Sequence, residues 1–251
     1  MRRDMQMSTR TPKQCVYTCL YGGYETLTVQ PVRSRSAIVW ICFTDDPTLA
    51  ARATHTGWDI RVVPPILAGD MARSSRHPKL CPHLYLEDYE ESLYIDNSIT
   101  LLAPPETLLA RYLAPAVAEG VEFVCLAHSH RQSVLDEFRR VEEVQYDYPN
   151  VLHRQREQYL NDGYDLTIRP IWGGLLMRRH SPAVAAHGDA WWSEVTLHSR
   201  RDQLSFTICA QKLALRYRAL PLSNRLTPFH RWRGAAVVRH GSPVVPNSNA
   251  S

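Results

Sequence analysis

A three-layer α/β/α sandwich, Rossmann-like and with a mainly parallel central sheet, is the fold that three features of this 251-residue sequence predict. Short apolar runs rich in β-branched and aromatic residues recur along the chain. Helix-like segments separate them. Most of these runs are apolar at nearly every position, as strands covered on both faces are.

The series opens with CVYTCLY (15–21) and AIVWICF (37–43). WDIRVVP (58–64) alternates instead, and reads as an edge or half-buried strand. SLYID (92–96) and FVCLA (123–127) follow, and IWGGLLMRR (171–179) is a strand interrupted by a glycine pair. PPETLLARYLAPAVAEG (104–120) has Pro near its start and Gly at its end, the asymmetry of a helix. SVLDEFRRVEEVQ (133–145) is helical in pattern, and two further helices are expected over 181–196 and 202–218.

One domain over 14–235 is the simplest partition, with disordered tails at 1–13 and 236–251. The net charge is +4. Residues 1–13 carry four cations against Asp4, and residues 225–251 carry Arg225, Arg231, Arg233 and Arg239 with no acid, so the basicity lies in the ends. Such ends are solvated, or they touch a polyanion such as a nucleic acid or an anionic glycan. The six cysteines (15, 19, 42, 81, 125 and 209) sit mostly inside apolar runs without paired spacing, and read as free core thiols. With no run long enough to span a membrane and no apolar segment behind the charged N-terminus, a cytoplasmic location is expected.

The strand endings share a property. CVYTCLY runs into Gly22-Gly23-Tyr24, AIVWICF into Asp45-Asp46, SLYI into Asp96-Asn97-Ser98, and FVCLA into His128-Ser129-His130-Arg131. In an open parallel sheet those ends form one crevice, where ligands bind.

Asp96 is the centre of that crevice. A carboxylate at the end of a buried strand suits a hard divalent cation, manganese or magnesium, carrying a diphosphate; alternatively it caps a turn. Asp45 or Asp46 can accept hydrogen bonds from a base or ribose, or cap the turn into PTLAARA. Arg76 and Lys79 share a helix face if RHPKLCPHLY is helical, and would then face the diphosphate. His128 can bind metal or a sugar hydroxyl, or be structural. Gly173 and Gly174 allow close backbone approach to a ligand, or mark a bulge. Asp202 and Gln203 lie in the first turn of an amphipathic segment, within reach of a hydroxyl-bearing substrate. No GxSxG, HExxH, GxxxxGK[ST] or GxGxxG pattern occurs.

The ordered series VYTCLYGGYETL, FTDD, GWDI, RHPKLCPHLY, SLYIDNSI, AHSHR, a glycine-pair strand ending RRH, and WWSEVTLHSRRDQLSF resembles the glycosyltransferase-like domain family that includes plant mucilage and pectin galacturonosyltransferases. The resemblance spans roughly residues 15–215. It implies a GT-A fold, a nucleotide-sugar donor and a carbohydrate-like acceptor. It places Asp96 at the first position of the Asp-x-Asp motif usual in GT-A enzymes, where Ser98 stands in the second. A metal ligand is then sought at Ser98, His128, His230 or His240. It further implies that Gly173, Gly174, Asp202 and Gln203 flank sugar and acceptor, with Gly174, Asp202 and Gln203 at the catalytic centre, and that the anomeric configuration is retained.

The expected function is metal-assisted glycosyl transfer from a UDP-sugar. The nucleotide lies near Tyr21, Gly22 and Asp45, and the diphosphate is held by Arg76, Lys79, Asp96 and Asn97. Two other readings are a non-catalytic glycan- or nucleotide-binding module on a degenerate transferase fold, and transfer to bases of DNA.

Overall fold

Seven strands form the central sheet of the computed structural model, which describes residues 11–23 and 25–234. They are β1 (Gln14–Leu20), β2 (Val39–Thr44), β3 (Asp59–Val62), β4 (Glu91–Ile95), β6 (Phe123–Ala127), β7 (Ile171–Arg179) and β8 (Tyr217–Leu220), in the spatial order β3-β2-β1-β4-β7-β6-β8. β5 (Ile99–Leu101) and β9 (His230–Trp232) pair separately as an antiparallel ribbon. β1 lies parallel to both β2 and β4, β2 to β3, and β6 to β8. β7 alone among the seven runs against its neighbours β4 and β6. The sheet is therefore mainly parallel, and its glycine-pair strand is the reversed one.

Alternation explains the layers. Val16, Trp40, Cys42, Leu93, Ile95, Val124, Leu175 and Met177 face one way, onto a helical segment running from α4 (Pro105–Leu108) through a wider turn to α5 (Ala114–Ala118). Cys15, Tyr17, Ile41, Phe43, Tyr94, Phe123, Cys125 and Leu176 face the other way, with Leu80, Trp191 and Phe206 packed on them. Both faces are apolar, so the strands had to be near-continuous hydrophobic runs.

The helices follow local signals. Short α1 (Leu49–Arg52), α2 (Met71–Ser74) and α3 (Arg76–Leu80) precede β4. Ser133 accepts from the Asp136 N–H to cap α6 (Val134–Glu143), and Pro149 opens α7 (Pro149–Asn161). Ser181 accepts from the Val184 N–H to cap α8 (Pro182–Leu197). The single helix expected over 202–218 is not formed. A tight 3-10 turn spans Asp202–Leu204, α9 (Phe206–Lys212) follows, Ala214 turns at φ +51°, and β8 begins. Phe206, Ile208 and Cys209 are buried, so α9 is fixed by packing, and the left-handed turn at Ala214 releases the chain into the sheet.

All six cysteines are free thiols. Among the described residues no helix is long and apolar enough to cross a membrane. Residues 1–10 and 235–251, most of the expected tails, lie outside the described residues, as does His240.

Candidate active site

The direction of strand order reverses between β1 and β4, and the crevice outside their C-terminal ends is where such folds bind ligands. Because β7 is antiparallel, its beginning, at Ile171–Gly174, reaches the same rim. The Asp96 N–H donates to the Gly174 carbonyl at 2.9 Å, which joins the two strand ends.

Asp96 is part-exposed at that rim. It accepts a 2.7 Å hydrogen bond on Oδ1 from the buried Tyr94 hydroxyl, and Lys79 Nζ stands 3.6 Å from the same oxygen. Lys79 in turn meets Asp202 Oδ2 at 2.6 Å, and Arg76 Nε is 3.7 Å from that oxygen. Arg76 and Lys79 do share a face of a short helix, α3, and both converge on Asp202. Burial raises the Asp202 pKa, but Lys79, Arg76 and Arg201 outweigh it and hold the carboxyl down to about 2. The Lys79 ammonium also lies over the Tyr94 ring, 4.9 Å from its centre.

Several elements hold this arrangement. The Lys79 carbonyl accepts from Arg178 Nη1 at 2.7 Å and from the Tyr17 hydroxyl at 3.1 Å, anchoring α3 to β7 and β1. Trp191 Nε1 on α8 donates to the Asp202 carbonyl at 2.7 Å, which fixes the turn carrying Asp202 and Gln203. Gly173 leaves room for the ion pair: a Cβ there would lie 3.2 Å from Lys79 Nζ and 3.5 Å from Asp202 Oδ2. Gly174 makes room for Trp172, whose ring a Cβ would meet at 2.6 Å.

Beside the turn, the buried Glu137 of α6 receives Arg201 Nε at 2.8 Å and Arg131 Nε at 3.1 Å. His128 points Nε2 at the same carboxylate, 4.0 Å away, and its Nδ1 accepts the His130 N–H. Burial keeps His128 neutral, with its pKa lowered to about 4. The rings and guanidinium groups of Tyr146, Arg200 and Arg201 stack together.

Among the described residues, the buried Gln203 Nε2 and Arg76 Nε at the centre have no hydrogen-bond partner, while Asp202 Oδ2 is met by Lys79 Nζ at 2.6 Å and Arg76 Nε at 3.7 Å. Such unpartnered atoms are uncommon in folded proteins, and at the rim of a crevice they are satisfied by ordered water or by a bound molecule.

The other expected residues lie as follows. Gly22 donates its N–H to both Asp45 oxygens at 3.0 and 3.1 Å, tying the ends of β1 and β2 together. Asp46 caps the turn by accepting the Thr48 N–H at 2.8 Å, and pairs with Arg52. Tyr21 is buried at the end of β1, its hydroxyl without a hydrogen-bond partner among the described residues. A hollow of about 210 Å³ opens beside these ends, lined by residues such as Leu20, Gly23, Thr26, Thr44 and Arg52. Asn97 is spent on the preceding loop: its Oδ1 accepts the Thr28 N–H at 2.8 Å and its Nδ2 donates to Glu25 and the Thr26 carbonyl.

The expected metal ligands do not gather. Ser98 Oγ accepts the Trp232 indole N–H at 3.1 Å. His230 is a correction: both its ring nitrogens are engaged, Nδ1 with the Thr227 hydroxyl and Nε2 with the Asn224 carbonyl, while the ring stacks on Trp172. Among the described residues no three His, Cys, Asp or Glu side chains converge as a cation would need. Asp96 has an ammonium rather than a second carboxylate as its neighbour, so the donor set among the described residues does not fit a divalent cation.

Sequence reasoning missed Tyr17, Tyr94, Glu137, Tyr146, Arg178 and Trp191. All but Tyr146, which lies in the loop between α6 and α7, sit inside elements, where a polar or aromatic side chain reads as core. Only Arg178, a charge within a nine-residue apolar strand, carried a visible signal.

A mainly parallel sheet with one reversed strand, covered by helices on both faces and closed by a small ribbon beside Asp96, is the GT-A-like fold of glycosyltransferases. The chain belongs to the TOD1/MUCI70 glycosyltransferase-like domain family, whose model matches residues 2–224. It is 26% identical over 227 residues to an Arabidopsis thaliana protein described as "Probable hexosyltransferase MUCI70"; the match covers 80% of this chain and 38% of that protein, so the chain spans well under half of its relative's length. Among solved structures, a WbbM bifunctional glycosyltransferase superposes with a TM-score of 0.51 at 12% identity, covering 85% of this chain and 40% of that one. Mouse xyloside xylosyltransferase 1 gives a TM-score of 0.47 at 8% identity over 83% and 84% of the two chains.

Proposed function

We propose that this domain transfers a sugar from a nucleotide-sugar, a UDP-sugar in our reading, to a hydroxyl of a glycan-type acceptor, with retention at the anomeric carbon. The observation that carries the reading is the buried cluster of Arg76, Lys79, Asp202 and Gln203, with Gln203 Nε2 and Arg76 Nε lacking hydrogen-bond partners, set beside Asp96 at the switch point.

The roles follow from charge and position. The nucleoside occupies the hollow at the ends of β1 and β2. The diphosphate lies against Arg76 and Lys79, whose charges stabilise the negative charge that grows on it as the sugar departs. Asp202 is ionised throughout the physiological range, so it acts as an anion and acceptor, never as a general acid. Its charge suits the oxocarbenium-like character of the departing sugar. Gln203 Nε2 donates to a hydroxyl of sugar or acceptor.

Thermal-shift screening against nucleotide-sugars tests this reading, since a ligand that binds the folded state alone raises its midpoint. One donor class should stand out, and its hydrolysis should be lost in Asp202→Asn with the fold retained. A folded protein that neither binds nor turns over any nucleotide-sugar refutes the proposal.

A further inference from the structure

The crevice holds a buried cation beside Asp96, at the C-terminal end of β4. Lys79 Nζ lies 3.6 Å from Asp96 Oδ1 and 2.6 Å from Asp202 Oδ2, and so bridges the two carboxylates. Its side chain is 3% exposed. The Tyr94 ring supports it from one side, and the missing Cβ of Gly173 opens the other. The helix that carries it is anchored at its own carbonyl by Arg178 and Tyr17.

Several of the groups that would have to hold a metal face other partners. Asp96 Oδ1 already faces a phenol hydrogen and an ammonium. Ser98 accepts from Trp232, both nitrogens of His230 are used, and His128 faces Glu137. His240 lies outside the described residues. Around the turn, four cations (Arg76, Lys79, Arg131 and Arg201) face three carboxylates (Asp96, Glu137 and Asp202). The local excess is positive before any ion is added.

We propose that Lys79, with Arg76, replaces the divalent cation, so that this domain binds its nucleoside diphosphate and transfers sugar without metal. This inference rests on the transferase reading above. In the step, the bond between the anomeric carbon and the diphosphate oxygen breaks, and its electron pair leaves on the diphosphate. The acceptor oxygen forms the new bond to that carbon, and its proton passes to the released diphosphate. Lys79 and Arg76 meet the charge on the leaving oxygen as hydrogen-bond donors.

The test uses the whole chain, stripped with excess EDTA and then supplied with manganese. UDP binding is followed by calorimetry, and UDP release from a panel of UDP-sugars by a coupled assay. The expected result is that EDTA changes neither, that Lys79→Met lowers UDP affinity by at least about tenfold, and that manganese does not restore it. Because Lys79→Met removes the closest partner of Asp202, the double variant Lys79→Met/Asp202→Asn is measured beside it for UDP affinity, and Lys79→Arg should keep metal-free binding. Loss of UDP binding in EDTA with recovery in manganese overturns the inference and leaves the transferase reading standing. Failure to bind UDP or any UDP-sugar under either condition overturns both.

Discussion

Lys79 Nζ lies 2.6 Å from Asp202 Oδ2, and each side chain is 3% exposed. The two come from distant parts of the chain, α3 and the turn after α8, and they meet under the first residues of β7. A buried pair of this kind contributes little net stability, because desolvation offsets most of the attraction. Its cost appears when one partner is removed.

Asp202→Asn or Lys79→Met alone should therefore destabilise the domain by up to about 3 kcal/mol, the low end for breaking a buried pair, because each removes the closest partner of a buried charge while Arg76 still faces Asp202 at 3.7 Å and Asp96 still faces Lys79 at 3.6 Å. The double variant should recover much of that loss, giving a coupling energy well outside additivity. Denaturant titration of the four proteins checks it. Additive losses would show that the two charges do not depend on each other.

Gly173→Ala places a methyl 3.2 Å from Lys79 Nζ and 3.5 Å from Asp202 Oδ2. The ammonium is the end of a flexible chain and can move aside, so the stability loss should stay near 1 kcal/mol, at the low end for overpacking. Donor affinity should fall much further, because the displaced ammonium is the group that faces the diphosphate. Gly174→Ala should do the opposite. Its methyl meets the Trp172 ring at 2.6 Å, which is core, so the melting temperature falls before affinity does.

Three histidines set an acid limit. Burial lowers the pKa of His128, His180 and His187 from 6.5 to about 4. Between those values the unfolded chain binds protons that the folded one refuses, so stability falls as pH drops from about 6.5 to 4 and then levels off for these groups. Each is worth about 3 kcal/mol over the whole window as an upper figure. Asp202, with its pKa depressed, adds stability above its unfolded value that is lost only as pH falls through about 2. Melting temperatures measured from pH 7 to 4 should decline steadily, and His180→Gln should flatten the decline. A flat profile would mean these rings protonate in place.

Much of the fold was legible because both faces of the sheet are covered. Strands so buried must be apolar runs, and FVCLA at 123–127 and IWGGLLMRR at 171–179 appear at those bounds. The small ribbon was not legible: Ile99–Leu101 and His230–Trp232 are three residues each, too short to show alternation. The reversed direction of β7 was invisible for a different reason, since a strand buried on both faces has the same pattern in either sense. Asp96, Arg76, Lys79 and Asp202 announced themselves by charge beside apolar runs. His230 misled because a histidine fully engaged with a threonine and a carbonyl looks, in sequence, like one free to bind an ion.

Gly188→Ala sets two known effects against each other. In the middle of α8 (Pro182–Leu197) alanine is favoured over glycine by about 1 kcal/mol, so at an open helical position the change would stabilise. Here a Cβ would lie 2.4 Å from the Leu80 carbonyl oxygen, a backbone atom that cannot rotate away. Relief requires α8 and α3 to separate, at a cost of about 1–3 kcal/mol for overpacking of this kind, so the steric effect should win. The shift would be delivered to α3 next to Lys79, whose carbonyl is pinned by Arg178 and Tyr17. Nucleotide affinity should then fall together with the melting temperature, although residue 188 touches no ligand. A variant more stable than the parent, or one that loses stability while keeping full affinity, would show that the contact between these helices does not position the crevice.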